Sequence, residues 1–268
     1  MGELLRANTL TLLTYFRRSR LLLAFGLVAL LLTALGTLPA IFANSKVASF
    51  DSLRDIFRTL NMFLIVFGCA LGLLVMSSHL SDRSLKMVFT KPCPPPVWLG
   101  SAFLASALVS LLLTGFVLFF AVALSFLWHI PVRAGMVFIS LDTFLACVAM
   151  SAYFIFLATI VHPAIAVAFA LVFNASLFYY LRITVHNALH EAAKGIILLK
   201  GLEHIFHFLY LTVPMTRAFE SKTGAIYSSF RVPAHDWLYL LYSFGYTLAI
   251  SALFYLLALF FLQRKRFT

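Results

Sequence analysis

The sequence predicts an all-α, polytopic membrane protein with six transmembrane helices and both termini in the cytoplasm. Three observations predict it: long apolar stretches, very little charge inside them, and Lys/Arg residues crowded at particular stretch ends. Hydrophobic residues make up 63% of the 268 and charged residues 11%, where a soluble domain carries about a quarter charged. A membrane span needs roughly 20 mainly apolar residues. The stretches 21–43, 59–78, 99–128, 136–161, 164–182 and 237–262 qualify. Little chain remains to face water, and no segment is left to form a soluble catalytic domain.

The net charge of +11 is distributed like a topology signal, not like a nucleic-acid footprint. Arg6, Arg17, Arg18 and Arg20 precede the first stretch; Arg83, Lys86 and Lys91 follow the second; Arg264, Lys265 and Arg266 close the chain. The remaining basic residues are dispersed through longer segments that also hold Asp51, Asp55, Glu191, Glu203, Glu220 and Asp236. Lys and Arg dense at span ends mark the cytoplasmic side, which places both termini there and the protein in a cell membrane, multi-pass. The first stretch is too long for a signal-peptide core, and Leu38-Pro39-Ala40-Ile41 offers no small-residue cleavage site. Cys69 and Cys147 fall inside spans and Cys93 in a cytoplasmic loop, so no disulfide framework is implied.

Taken in order, residues 1–20 read as an amphipathic helix on the inner surface, with Leu4, Leu5, Leu12 and Phe16 among polar neighbours. Residues 21–262 form the transmembrane domain. The third span lies between Trp98 and Trp128, both suited to the membrane interface. A helix of that length, roughly 43 Å, exceeds a hydrocarbon core of about 30 Å, so it must tilt, bend or project. Spans three and four join at a short outer turn around His129-Ile130-Pro131, and spans four and five at His162-Pro163, an antiparallel hairpin. Proline there stops one helix and suits the first turn of the next. Residues 183–236 form the external segment. Its apolar run 196–209 is interrupted by Lys200, Glu203, His204 and His207, which makes full crossing costly and favours helices lying on or dipping into the outer leaflet. The basic tail is 263–268. No internal repeat is visible, so two-fold symmetry requires a second subunit.

The loop 79–98 is the most distinctive feature. Ser81-Asp82 can cap a short helix whose Leu85, Val88 and Phe89 share a face, with Arg83 and Lys86 elsewhere on it. Pro92 ends that helix, and Pro94-Pro95-Pro96 is expected to form a stiff extended strut leading back to Trp98. In these residues the chain resembles the permease subunits of ABC-2-type transporters, of type V exporter-like architecture. It is most similar to the six-span group often labelled as involved in multicopper enzyme maturation. Members carry, after span two, an acidic residue, Gly-Thr, an apolar run, a Pro, then Gly-Lys opening span three. This chain offers Asp82, Leu85, Val88-Phe89, Thr90-Lys91-Pro92 and Leu99-Gly100 in that order. Arg83-Ser84 replaces Gly-Thr, Ser101 replaces the Lys, and the Arg that usually follows the Pro is missing. The resemblance implies a second permease copy or paralogue and two copies of a separate ABC ATPase, with ATP and magnesium held by that ATPase. It implies that residues 81–91 dock in an ATPase groove, with Asp82, Arg83, Leu85, Lys86, Val88, Phe89 and Pro92 the coupling set. It also implies export across a bacterial inner or cytoplasmic membrane.

Other candidate sites are fewer. Asp142 is the one acid well inside a predicted span, with Arg182 or Arg133 as possible partners. It reads either as a substrate or proton site or as a helix-locking pair. His186 and His190, and Glu203 and His207, are each four residues apart, a spacing that suits zinc or copper, although amphipathic helices often carry such histidines without metal. The Phe-rich spans read as packing or lipid-facing surface, with a greasy path for lipid-like cargo as the alternative. There is no Gly-x-x-x-x-Gly-Lys loop, nucleophile elbow or His-Glu-x-x-His, so the chain is expected to be a transport subunit without a catalytic site or cofactor of its own. The alternative function is a non-transporting membrane module that transmits ATPase action to an external or periplasmic protein. An intramembrane enzyme is a third class, which would need Asp142 or the outer histidines around a water-filled site.

Overall fold

A computed structural model describes residues 2–43, 46–80, 94–173, 175–191, 197–214 and 232–265, and these residues form helices and short connections without strands. In chain order the helices are α1 (Gly2–Arg18), α2 (Leu21–Ala43), α3 (Lys46–Leu80), α4 (Pro95–Leu127), α5 (Ala134–Ile160), α6 (Pro163–Val172), α7 (Ala175–Glu191), α8 (Ile197–Thr212) and α9 (Ala234–Lys265). Among the described residues five spans are long and apolar enough to cross a membrane, the pair α6–α7 counting as one. A sixth is added if α1 and the start of α2 act as one span bent by 51°. The chain therefore has the helical content of a multi-pass membrane protein.

The helix ends follow local chemistry. α4 closes in a Schellman arrangement: the His129 N–H donates to the Phe126 carbonyl (3.2 Å) and the Ile130 N–H to that of Ser125 (2.8 Å). His129 accordingly takes φ 52°, a left-handed conformation that glycine adopts more cheaply. α6 opens on Pro163, with the His162 ring accepting from the Ala164 N–H (3.3 Å). The helix of the second span, α3, starts at Lys46, well before the expected 59, because Leu53, Ile56, Phe57 and Leu60 keep a buried face across the charged Arg54, Asp55 and Arg58. The expected polyproline strut shrinks to Pro94, which is extended (φ −64°, ψ 140°), while Pro95 and Pro96 already lie in the first turn of α4. That turn has no internal N–H partners to lose and suits the fixed φ of proline.

α5 is the central helix: 72% of an 18-residue apolar stretch of it is buried, against 50% for α3, 39% for α4 and 28% for α9. It packs on α3, α4 and α9. Its contact with α3 is set by Gly68 and Gly72, a Gly-x-x-x-Gly spacing that lets two backbones approach. A Cβ on Gly72 would stand 2.5 Å from the Ser151 carbonyl oxygen, and one on Gly68 would stand 3.1 Å from that of Cys147. The Cys147 thiol meets the Leu64 carbonyl of α3 (3.3 Å). α9 covers another face of α5 through Phe138–Trp237 (5.7 Å between ring centroids) and Tyr153–Phe254 (5.2 Å).

The fifth span is interrupted at Phe173, and its second half, α7, runs from Ala175 to Glu191. α8 then doubles back antiparallel along α7. Tyr179 meets Tyr210 (5.7 Å) near one end and His186 meets Glu203 (2.9 Å) towards the other. α1 is amphipathic as its sequence indicates, with Thr9, Leu12 and Phe16 buried. It packs along α4, where Leu5 lies beside Gly100.

Two outcomes are expected from this packing. Gly72→Leu should sharply reduce the yield of folded protein, and Gly68→Ala should cost about 1–3 kcal/mol, both read by thermal denaturation in detergent. His129→Gly should raise stability by roughly 1 kcal/mol, and an unchanged midpoint would show that the turn carries no strain.

Candidate functional site

The best-defined candidate lies where α3 stops and α4 starts, on either side of the loop singled out in the sequence. Asp82, Arg83, Leu85, Lys86, Val88, Phe89 and Pro92 themselves lie outside the described residues. The two helix ends that flank them are well placed. Met76 at the end of α3, and Trp98 and Leu99 at the start of α4, are buried in one cluster with Ile155 and Ala158 of α5 and Ala258 and Leu262 of α9. The Tyr255 hydroxyl of α9 donates to the Pro96 carbonyl (2.9 Å), one of the first carbonyls of a helix that begins on prolines. The Tyr255 ring also meets Phe103 edge-on at 5.6 Å. On the far side α1 covers Gly100. The entry of α4 is thus held by α1, α3, α5 and α9 at once. A displacement of the preceding loop would have to move several helices together, since a close-packed interior transmits strain.

Asp142 is 3% exposed on α5, and one carboxyl oxygen is fully buried without a hydrogen-bond partner. It forms no ion pair among the described residues, so neither Arg182, half-buried on α7, nor Arg133, at the N-cap of α5, serves as the partner expected of it. The group facing it is Tyr239 of α9, close enough to sense its charge, with the Ser243 hydroxyl as a hydrogen-bond partner of Tyr239.

Of the outer candidates, the structure brings together His186 and Glu203, whose Nδ1 and Oε1 are 2.9 Å apart and which tie α7 to α8. The side chain of His190 lies outside the described residues. His207 has its Nδ1 buried without a hydrogen bond. Among the described residues no three His, Cys, Asp or Glu side chains converge as a metal site would require.

Sequence reasoning missed the cleft beside the broken span. It has a volume of about 490 Å³, and Val66, Cys69, Met150, Tyr153, Ala175 and Pro214 are among the residues that line it. The helix ends around it are satisfied by tyrosines. The Tyr153 hydroxyl reaches the Phe173 carbonyl (3.5 Å), and that of Tyr246 reaches the Leu211 and Val213 carbonyls (3.3 and 3.4 Å). Tyrosine inside an otherwise apolar span was the available signal, since a buried phenol needs a partner. No model of a known protein family matches the chain, and no characterised protein matches it.

Tyr255→Phe should leave the fold intact and cost about 1 kcal/mol, whereas Trp98→Ala should cost about 3–5 kcal/mol. Equal midpoints for the wild type and Tyr255→Phe would show that the Pro96 carbonyl is satisfied without Tyr255.

Proposed function

We propose that this chain is the membrane-spanning permease subunit of an ATP-binding cassette transporter of the ABC-2 type, working as an exporter. Its power comes from ATP hydrolysis, with magnesium, on two copies of a separate ATPase. The observation that carries this reading is the junction at the start of α4. Residues 95–99 follow directly on the loop that resembles the family's coupling segment, and they are fixed to α3, α5 and α9 through Trp98, Leu99 and the Tyr255–Pro96 hydrogen bond. A rigid junction is what a loop pushed by an ATPase needs in order to move spans instead of bending alone. An all-helical bundle with five to six spans able to cross a membrane fits the same reading. A bacterial inner membrane and a second permease copy complete it.

A second reading is a module that relays ATPase action to an external protein without transport. It is favoured by the arm formed by α7 and α8, which leaves Ile205 (54% exposed) and Phe208 (65%) uncovered. The two differ in whether ATP drives flux through reconstituted vesicles.

Both readings share a first test. The tagged chain, expressed with its native neighbours and purified in mild detergent, should bring down an ATPase in stoichiometric amount. Changing Leu85, Val88 and Phe89 to Asp should abolish that capture while the permease still folds. Well-folded wild-type protein that captures no ATPase would sink the proposal.

A further inference from the structure

Asp142 stands apart from the other described acids. Asp236 is also buried, at 6% exposure, but His235 lies beside it (3.2 Å). Glu203 has His186, and Asp55 has Arg54 at 3.4 Å. Among the described residues Asp142 has no cationic partner, and one of its oxygens is buried without a hydrogen bond.

The elements packed around Asp142 offer little to neutralise it. α4 and α6 contain no titratable side chain. On α3 the charged groups are Lys46, Asp51, Arg54, Asp55 and Arg58, all on the stretch before Asn61. α5 itself adds Cys147 and Tyr153, and Arg133 caps its start. From α9 the facing group is Tyr239, with His235 and Asp236 one turn before it. An isolated carboxylate withdrawn from water is among the costliest groups a protein can bury, and inside a span it is ordinarily accompanied by a partner. Among the described residues no side chain supplies the positive charge.

The face of α9 that carries Tyr239 is lined with oxygens. Tyr239, Ser243 and Thr247 succeed one another at four-residue spacing on α9, which puts them on one face. Ser243 and Thr247 are buried, and the Thr247 hydroxyl has no hydrogen-bond partner. One carboxylate with neutral hydroxyls balances a single positive charge; a divalent ion calls for more oxygens and usually more carboxylates.

We infer that Asp142, at the α5–α9 interface near Tyr239 and on the side of α9 whose buried face carries Ser243 and Thr247, forms an intramembrane site for a small monovalent cation, a proton or a sodium ion. Both helices are continuous here, so their carbonyls are engaged in helical bonds. Sodium would have to be held by side chains, without the unwound backbone that usually completes such a site in transporters. This favours the proton as occupant. The inference is independent of the ATPase partner, and the chain purified alone can test it.

The probe is dicyclohexylcarbodiimide, which adds to a protonated carboxyl in apolar surroundings, applied to the full-length protein in detergent and read by peptide mass spectrometry. The adduct is expected on Asp142 and lost in Asp142→Asn. Labelling that increases with acidity and ignores sodium identifies the proton. Labelling suppressed by sodium, but not by choline at equal ionic strength, identifies the metal ion. In parallel, infrared difference spectra of wild type against Asp142→Asn should show a carboxyl band that responds to pH or to sodium. Folded wild-type protein with neither an adduct on Asp142 nor a cation-sensitive carboxyl band would overturn the site. The wild-type measurements stand even if the variant fails to fold.

Discussion

The close contact of α3 with α5 is the constraint on which the rest of the bundle depends. Gly68 and Gly72 remove two side chains where the Cys147 and Ser151 carbonyls pass, and the helices approach more nearly than side chains allow. In a membrane no hydrophobic force drives helix to helix, because lipid is as apolar as leucine; tight packing has to supply the attraction instead. Once α3 and α5 are locked, the rest follows. Leu64 takes the Cys147 thiol, Met76 comes level with Ile155, and Trp98 and Leu99 close the same cluster with α9. The junction proposed for coupling is one end of this seam.

Outside that core the structure changes character. α3, α5 and the first turns of α4 share deep contacts, whereas the span formed by α6 and α7 is only 19% buried. It is broken, and α8 folds back along its second half. Breaks expose carbonyls that a continuous helix would satisfy, and within a bundle each needs another donor. Tyr153 and Tyr246 supply hydroxyls at two of these ends. The 490 Å³ cleft lies where the tightly packed and the loosely packed halves meet.

Helices were legible in the sequence wherever one physical signal dominated. The uninterrupted apolar runs placed α2, α4, α5 and α9 within four residues of their observed limits. The His162-Pro163 break was readable because proline acts locally. The reading failed where tertiary burial overrode local appearance. Arg54, Asp55 and Arg58 look like the end of a span, yet Leu53, Ile56, Phe57 and Leu60 carry the helix through them. Three prolines in a row look like a strut, yet two of them begin a helix. The break at 173 had no proline to announce it, although Phe173 and Asn174 are poorer helix formers than the alanines around them. Gly68-x-x-x-Gly72 was not singled out in the sequence, and its partner, the small-residue face of α5, is visible only in three dimensions. At the site, Asp142 was conspicuous as a charge in an apolar run; the lack of a partner for it was not. Pairing is a property of neighbouring helices, and among the described residues neither Arg133 nor Arg182 forms an ion pair with Asp142.

The orphaned polar atoms locate the remaining question within the fold. Asn61 on α3, Ser110 on α4, Ser140 and Asp142 on α5, and Thr247 and Ser251 on α9 each keep a buried oxygen without a partner. They are spread over all four core helices. A bundle selected only for rigidity would replace such atoms with methyl groups, because an unsatisfied buried polar group costs about 1–3 kcal/mol. Asp142 and Ser140 are two residues apart on α5 and therefore face different neighbours, α9 for the first and away from α9 for the second. The α5–α9 interface holds both the buried carboxylate and buried hydroxyls of α9, and Tyr255, further along α9, bonds the Pro96 carbonyl at the start of α4.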